Sequence, residues 1–293
     1  MFRKCDRRGM ARLMTTVGLA VCLPFAALAA EVSEKAAALV PAAIKDSGVL
    51  RIAMPDQGKP FAYKEGEGLK GLDPDLAVAV AETLGLKPAI ELVPFDAALT
   101  GLQADKFDIS FGEFYIRAER LAVADFVTSW QTFNSFMVPG DSDLNPAAVL
   151  DLCGYKVAAM AASVHLDGLQ KAAPECPADK PLDVSAFPNS SNAVMALVSG
   201  RVDAVYTDRG VAEEALQADP TLKTVGKLGA GVTAIAVKRG DATKGMNEAV
   251  QAALQHLVET GEYQTILDAN SVGYGALEAF DIYTETSTPP VYE

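Results

Sequence analysis

The sequence predicts an α/β protein made of two lobes, each a mostly parallel sheet flanked by helices. Short apolar strands alternate with amphipathic helices from residue 49 onward, and this alternation is typical of βαβ units. It is interrupted by a segment of linker composition at 139–143 and then starts again. A chain of 293 residues, half of them apolar, is also long enough for two hydrophobic cores.

Residues 1–30 predict a secretory signal peptide. Basic residues from Arg3 to Arg12 precede an apolar run at 13–27, and small residues then offer a cleavage site. A lipid anchor at Cys22 is the alternative, although Val21 is large for the position before a lipidated cysteine. We therefore expect export to the periplasm, with a mature chain that begins near Ala30 or Glu31.

The charge of the chain limits the choice of partners. A formal net charge of −13 opposes binding to nucleic acid or to anionic membranes. No segment after the leader approaches the roughly 18 apolar residues that a membrane span needs. We expect a soluble monomer.

The alternation divides the exported chain into segments. Residues 31–47 form an N-terminal arm, 48–137 the first part of lobe 1, 138–231 lobe 2, and 232–293 the return to lobe 1 with a C-terminal tail. The crossings between lobes are placed at 139–143 and at 229–231. Two crossings suit a hinge, because few backbone dihedrals then absorb a closing motion.

Individual elements follow from periodicity and capping signals. In lobe 1 we expect a helix that is entered at Asp73, with Pro74 in its first turn, and a buried strand from Phe107 to Phe111 that runs into a loop at 112–119. The other predicted strands are 50–54, 90–93, 155–159, 182–186, 202–206 and 233–237. The other predicted helices begin near 95, 147, 163, 191, 208, 244 and 262.

Two charged residues at strand exits predict a ligand site. Arg120 follows the buried strand of lobe 1, and Asp208 follows a strand of lobe 2. Ligands of open α/β sheets lie at the carboxyl ends of strands, so both charges would face one cleft. A small zwitterion fits them, with its carboxylate on the Arg120 guanidinium and its ammonium on Asp208. The alternatives are a solvated helix arginine and a helix N-cap aspartate.

Two of the four cysteines leave with the leader, and Cys153 and Cys176 remain. An even pair in an oxidising compartment favours a disulfide. Two buried thiols are the alternative, because spacing alone does not bring the Cα atoms together.

The order of several motifs resembles a known family. The strings SGVLRIAM, GLKGLDPDLAVAV, PFDAALTGLQADKFDIS, LCGYKVAAM, ALVSGRVDAVYTD and IAVKRG, with the A-E-R of Arg120, are spread over about 48–269. This region is similar to the family 3 extracellular solute-binding proteins, the periplasmic amino-acid receptors of ABC importers.

The resemblance implies a type II periplasmic-binding-protein fold that closes on an amino acid and docks on an inner-membrane ABC permease, with no cofactor. It assigns the ligand carboxylate to Arg120 and the ligand amine to Asp208. It also implies that the turn at 162–164 offers backbone N–H groups, and that a subgroup with L-C-G before the strand has a stabilising disulfide. The further ligand-binding residues that it indicates are Phe95, Gly112, Glu113, Ser163 and Val164.

The chain departs from the family pattern near the site. Glu113, Tyr115 and Arg117 stand where small or hydroxyl residues are usual, and Ala162-Ser163-Val164 replaces a Gly-Thr-Thr pattern. Glu113 could meet a cationic or amide group of the ligand, or it could be solvated or paired within the protein. Asp56 favours a polar or cationic ligand, whereas Lys59 and Arg117 oppose a cationic one.

Catalytic motifs are not found in the sequence. There are two histidines, of which His165 would border the cleft, and no H-E-x-x-H, G-x-S-x-G or P-loop pattern. We therefore expect a binding protein with no catalytic or metal-ligating residues. The enzyme alternative is a cyclohexadienyl or arogenate dehydratase on the same fold, which could use Glu113 as its acid.

Overall fold

The computed structural model describes residues 31–292, so the predicted signal peptide lies outside the described residues. The elements of the first half are α1 (Glu34–Leu39), α2 (Ala42–Ser47), β1 (Val49–Pro55), β2 (Tyr63–Glu65), β3 (Gly68–Lys70), α3 (Leu72–Thr83), β4 (Lys87–Val93), α4 (Phe95–Gln103), β5 (Ile109–Tyr115), α5 (Ala118–Leu121) and β6 (Asp125–Pro139).

The second half alternates in the same way before it returns to the first. Its elements are β7 (Lys156–Met160), α6 (Val164–Ala172), β8 (Asp183–Phe187), α7 (Ser190–Val198), β9 (Ala204–Asp208), α8 (Arg209–Ala218), β10 (Leu222–Val237), α9 (Met246–Thr260), α10 (Glu262–Ala269) and β11 (Ile282–Tyr283). The helix predicted at 147–152 is a short 3-10 turn, Val149–Leu152.

Two parallel groups of strands are joined by two long antiparallel ones. The order is β4-β1-β5-β10-β6-β9-β7-β8, and β11 pairs with β6. Strand β1 is parallel to β4 and β5, and β7 is parallel to β8 and β9. We call the β4-β1-β5 side lobe 1 and the β9-β7-β8 side lobe 2. The predicted mostly parallel α/β arrangement is confirmed.

The crossings between lobes lie inside the long strands. Strand β6 already pairs with β9 of lobe 2 from Asn134 onward, ahead of the linker predicted at 139–143. The segment predicted as the return crossing, 229–231, lies within β10, whose register against β6 shifts between Val225 and Leu228 and again before Ala230. The first crossing is therefore earlier in the chain than predicted. Linker composition does not mark it, because β6 and β10 stay hydrogen-bonded to each other where they pass between the lobes.

Two further expectations for lobe 1 need correction. The loop predicted from Gly112 is strand, because β10 pairs with β5 as far as Tyr115, and Arg120 therefore lies in the short helix α5. Helix α3 begins after Gly71, so Asp73 is not its N-cap but a buried residue of its first turn. The N-terminal arm forms α1 and α2, which pack on the core of lobe 1 through Ala36, Val40 and Ile44.

Each lobe has its own apolar core. In lobe 1, Trp130 is fully buried, stacks edge-on against Phe61 and donates its indole N–H to the Val272 carbonyl at 3.1 Å. In lobe 2, Phe136 and Tyr206 pack with ring centroids 4.6 Å apart. No helix within residues 31–292 is long and apolar enough to cross a bilayer.

The predicted disulfide between Cys153 and Cys176 is present. Their Cα atoms are 5.5 Å apart, a distance that is normal for a disulfide. The bond ties the residues before β7 to the 3-10 turn that follows α6. It therefore fixes the first strand and helix of lobe 2 to each other.

Replacing both cysteines by serine should lower the free energy of unfolding by about 3 kcal/mol, because the bond restricts the unfolded chain over a sequence separation of 23 residues. Urea unfolding followed by circular dichroism measures this loss. Adding a reductant should lower the stability of the parent and leave the stability of the double variant unchanged. Equal stability of the variant and the oxidised parent would contradict a structural role for the bond.

Candidate functional site

A small cavity lies between the two lobes, at the carboxyl ends of the parallel strands. Its volume is about 10 Å³, roughly the room needed for one water molecule. Wall residues must therefore move before an amino acid can enter. The lining residues are Gln57, Phe95, Glu113, Tyr115, Arg120, Met160, Ser163, Val164, His165 and Asp208.

Most of the residues predicted to bind a ligand meet at this cavity. Six of them line it: Phe95, Glu113, Arg120, Ser163, Val164 and Asp208.

Gly112 and Asp56 are not among the lining residues. A side chain at Gly112 would come within 2.7 Å of the Pro55 ring, so this glycine allows β5 to pack against the end of β1. Asp56 instead accepts a hydrogen bond from Asn189 of lobe 2 at 3.4 Å.

The Arg120 guanidinium is held in place by backbone and aromatic groups. It donates to the Tyr115 carbonyl at 3.0 Å and, across the cleft, to the Ala162 carbonyl at 3.4 Å. It also lies over the rings of Phe95 and Phe114, 5.6 and 5.7 Å from their centroids, as cations do over aromatic faces. These contacts fix the position of the charge without neutralising it.

Arg120 has no carboxylate partner among the described residues. The nearby Glu119 and Asp167 pair with Arg117 instead. Burial lowers the pKa of Arg120 to about 10, so the guanidinium still carries its charge at neutral pH. A buried cation without an anion is costly, and an anionic ligand group would offset that cost.

Helix α6 begins beside this cation. Ser163 is its N-cap and accepts a hydrogen bond from the Leu166 N–H at 3.1 Å. The first N–H groups of a helix have no partner within the helix, and the helix dipole favours an anion there. Val164 and His165 open α6 at the cavity, so the N-terminus and Arg120 favour the same anionic ligand group.

Asp208 faces the cavity from lobe 2, at the end of β9. It occupies the N-cap position of α8, but its side chain makes no capping bond. One carboxylate oxygen instead accepts hydrogen bonds from the hydroxyls of Tyr115, at 3.1 Å, and Thr132, at 3.3 Å. The helix-capping alternative is therefore wrong for this side chain.

Glu113 and Asp73 form a buried pair of carboxyl groups at the cavity wall. Their side chains share a hydrogen bond, which requires a proton between them. Gln57 donates to Asp73 at 2.9 Å, and Thr233 donates to Glu113 at 2.6 Å. The backbone of Glu113 has a φ of 51°, a left-handed conformation that costs a non-glycine residue about 1–2 kcal/mol.

Both members of this acid pair hold protons more tightly than exposed acids. Burial raises the pKa of Asp73 to about 6. Burial, and then the Asp73 carboxylate, raise the pKa of Glu113 well above its ordinary value. No cation pairs with either group in the described part of the chain. At neutral pH Asp73 is therefore largely ionised, and its charge and the burial of Glu113 both favour the protonated form of Glu113.

His165 is buried beside Asp208. Its Nε2 lies 2.9 Å from Asn134 Oδ1 and 3.8 Å from Asp208 Oδ1. Burial lowers the pKa of His165, although Asp208 opposes this shift. The imidazole is therefore neutral near pH 7 and adds no charge to the cavity.

Direct contacts hold the lobes together around the cavity. Arg117 of lobe 1 pairs with Asp167 of lobe 2 at 2.7 Å. The Ser190 N–H donates to the Gln57 carbonyl at 3.0 Å. A side chain at Gly58 would collide with Ser191 of lobe 2, so a glycine is needed for this approach. The lobes are closed on each other.

A wider cavity of about 670 Å³ lies along the long strands, lined by Phe133, Asn134, Arg209 and Glu213 among others. Its charged groups satisfy each other, because Arg209 pairs with Glu213 within α8 and lies over the Tyr274 ring. The smaller cavity is the better candidate, since it contains a cation and an acid pair that the protein does not neutralise.

Sequence reasoning did not assign Gln57, Tyr115, Met160 or Asp73 to the site. Gln57 follows β1, so the strand-end rule that found Arg120 would also have found it. Asp73 stands at a helix start, where an aspartate usually indicates a cap. Tyr115 was noted only as a departure from the family pattern.

The chain matches the family model described as bacterial extracellular solute-binding proteins, family 3, over residues 50–270. Among curated relatives, the arginine-binding protein ArgT of Corynebacterium glutamicum is 27% identical over 255 residues, which are 82% of this chain and 80% of that protein. The L-arginine-binding protein of Pseudomonas aeruginosa is 28% identical over 231 residues, 75% of this chain and 86% of that protein.

Solved structures agree with this result. An ancestral arginine-binding protein bound to arginine matches with a TM-score of 0.69 and 31% identity, covering 76% of this chain and 97% of that one.

An enzyme, the cyclohexadienyl dehydratase of Pseudomonas aeruginosa, is 37% identical over only 84 residues, 28% of this chain and 31% of that protein. The family match spans most of the described chain, and the chain belongs to the bacterial extracellular solute-binding proteins, family 3.

Proposed function

We propose that this protein is the exported receptor of an ABC importer and binds an amino acid between its two lobes. The half-buried Arg120 guanidinium carries the proposal. It has no carboxylate partner among the described residues and lies beside the N-terminus of α6. A ligand carboxylate would supply the missing anion, and it would contact both lobes at once.

The charge of the cavity favours a ligand with a cationic side chain. Arg120 and Asp208 balance a zwitterion's two charged groups. The Asp73–Glu113 pair adds one further negative charge, and His165 adds none. Because buried charges are costly unless they are paired, a ligand that also carries a positive side chain balances the cavity best.

Known relatives support a basic amino acid. The two curated relatives described above, and the ancestral protein of solved structure, are named for arginine binding. We therefore propose L-arginine as the first ligand to test. The signal-peptide pattern and the family support delivery to the periplasm, where the closed receptor would dock on a membrane permease.

A dehydratase is the second candidate. A buried, protonated Glu113 could serve as a general acid, and a dehydratase is a partial relative. The short match makes the receptor the better proposal. Incubation with prephenate or arogenate, followed by chromatography, should give no product. Turnover that is lost in Glu113→Gln would select the enzyme instead.

Arg120→Ala should weaken L-arginine binding by at least about 30-fold, because removal of one partner of a buried charge pair costs 2 kcal/mol or more. Arg120→Lys should bind with intermediate affinity, since it keeps the charge but loses the planar fork. Isothermal titration calorimetry measures both. Arg201→Ala, outside the cavity, is the control, and unchanged affinity in Arg120→Ala would refute the carboxylate site.

Asp208→Asn should weaken L-arginine by about tenfold, because the ligand ammonium loses its ionic acceptor. Des-amino arginine, which lacks that ammonium, should bind Asp208→Asn and the parent with similar affinity. Competition calorimetry with the two ligands gives the comparison. An equal loss for both ligands would show that Asp208 does not bind the ammonium.

The acid pair should make stability depend on pH. The pKa values of both carboxyls are raised in the folded protein from ordinary values of 3.8 and 4.5, that of Asp73 to about 6. Their stabilising contribution is therefore present below about pH 4 and is lost as the pH rises through 6. Glu113→Gln keeps the hydrogen bonds without the shared proton, so its stability should fall less steeply.

Urea unfolding of the parent and of Glu113→Gln between pH 4 and pH 8 tests this expectation. The difference in unfolding free energy should grow in favour of the variant as the pH rises. Exposed Glu65→Gln is the control and should follow the parent. Parallel pH profiles for the parent and Glu113→Gln would mean that no proton is shared.

A further inference from the structure

Tyr115 is a cavity residue to which the proposed function gives no role. It ends β5 of lobe 1, is 5% exposed, and reaches across the cleft to lobe 2. Its hydroxyl lies 3.1 Å from Asp208 Oδ1, and the Thr132 hydroxyl lies 3.3 Å from the same oxygen. The carboxylate assigned to the ligand ammonium is thus already hydrogen-bonded by protein groups.

The Tyr115 hydroxyl has a single proton and two acceptors nearby. Besides Asp208, it lies 2.7 Å from Asn134 Oδ1, which is also 2.9 Å from His165 Nε2. A half-turn of the Asn134 side-chain amide exchanges the positions of its oxygen and nitrogen. With the Asn134 nitrogen toward Tyr115 and the neutral His165, the amide donates to both, and the phenol proton goes to Asp208. The Tyr115 hydroxyl, Asp208 Oδ1 and His165 Nε2 then each have a partner.

The Tyr115 ring packs against Tyr292 of the C-terminal tail. The Tyr292 ring packs 4.8 Å from it. The Tyr292 hydroxyl accepts from the Ile116 N–H at 2.6 Å and donates to the Val232 carbonyl at 3.1 Å. Because Tyr292 is anchored to the backbone at both points, it limits the retreat of Tyr115 from the cavity.

We propose that Tyr115 is a built-in competitor for Asp208 Oδ1, and that the α-ammonium group of a ligand displaces it from this oxygen. This inference rests on the proposed function. The bond links lobe 1 to lobe 2, so it holds the lobes closed before a ligand arrives. A hydrogen bond to a charged group changes an equilibrium by about tenfold or more, so Tyr115 weakens α-amino ligands by a similar factor.

The consequence is a shift in selectivity. A carboxylate that lacks an α-ammonium group binds Arg120 without disturbing the bond from Tyr115 to Asp208. Tyr115 therefore narrows the preference for amino acids over the corresponding des-amino acids. A side chain without the hydroxyl would restore that preference.

Calorimetry on Tyr115→Phe tests the proposal, because phenylalanine keeps the ring and removes only the hydroxyl. L-arginine should bind the variant about tenfold more tightly than the parent, whereas des-amino arginine should gain no affinity. In an Asp208→Asn background, Tyr115→Phe should leave arginine affinity unchanged, because the two residues act through one bond. Exposed Tyr155→Phe is the control.

The direction of the change decides the outcome. Equal or weaker arginine binding by Tyr115→Phe would overturn the inference, since the hydroxyl would then be indifferent or would assist the ligand. The proposed function would survive that result, provided that Arg120→Ala weakens L-arginine binding by at least about 30-fold. If the parent binds neither ligand, the proposed function fails, and the inference fails with it.

Small-angle scattering adds a readout without ligand. Tyr115→Phe should have a larger radius of gyration than the parent and Tyr155→Phe, because a bond between the lobes is lost. Equal radii for all three proteins would show that the hydroxyl does not hold the lobes closed. Matching circular dichroism spectra establish that the variants are folded.

Discussion

The site depends on one half-buried cation that no carboxylate neutralises among the described residues. Arg120 is held by two carbonyl oxygens and two aromatic rings, while the nearby carboxylates of Glu119 and Asp167 pair with Arg117. The guanidinium is therefore rigid and charged but still able to accept an anion. A charge kept in this state is unfavourable for the free protein, and an anionic ligand would offset that cost.

The fold brings the groups that complete this site to the same place. Arg120 follows β5, Asp208 ends β9, and both strands belong to parallel groups whose carboxyl ends face the cleft. The long strands β6 and β10 connect the lobes while remaining paired with each other. A relative motion of the lobes then bends two strands and leaves the geometry within each lobe intact.

The acid pair and Tyr115 distinguish this cavity from one that holds a zwitterion alone. Asp73 and Glu113 are buried together where no cation lies beside them in the described chain, and Glu113 lines the cavity. Tyr115 bonds to Asp208 across the cleft. Together with the Arg117–Asp167 pair, these contacts mean that closure is stabilised by the protein itself. Selectivity then depends on which of these contacts a ligand replaces or preserves.

From the sequence we predicted the α/β class and the two groups of parallel strands, favoured a disulfide over two free thiols, and expected Arg120 and Asp208 at one cleft. Periodicity, strand ends and cysteine parity are local signals, so they survive without coordinates. The tertiary structure alone decided the rest. Asp73 has the sequence context of a helix cap, and only its burial against Gln57 and Glu113 shows otherwise. The first crossing was misplaced because the pairing of β6 with β9 joins residues far apart in the chain. The bond between Tyr115 and Asp208 depends on the angle between two lobes, which no local pattern encodes.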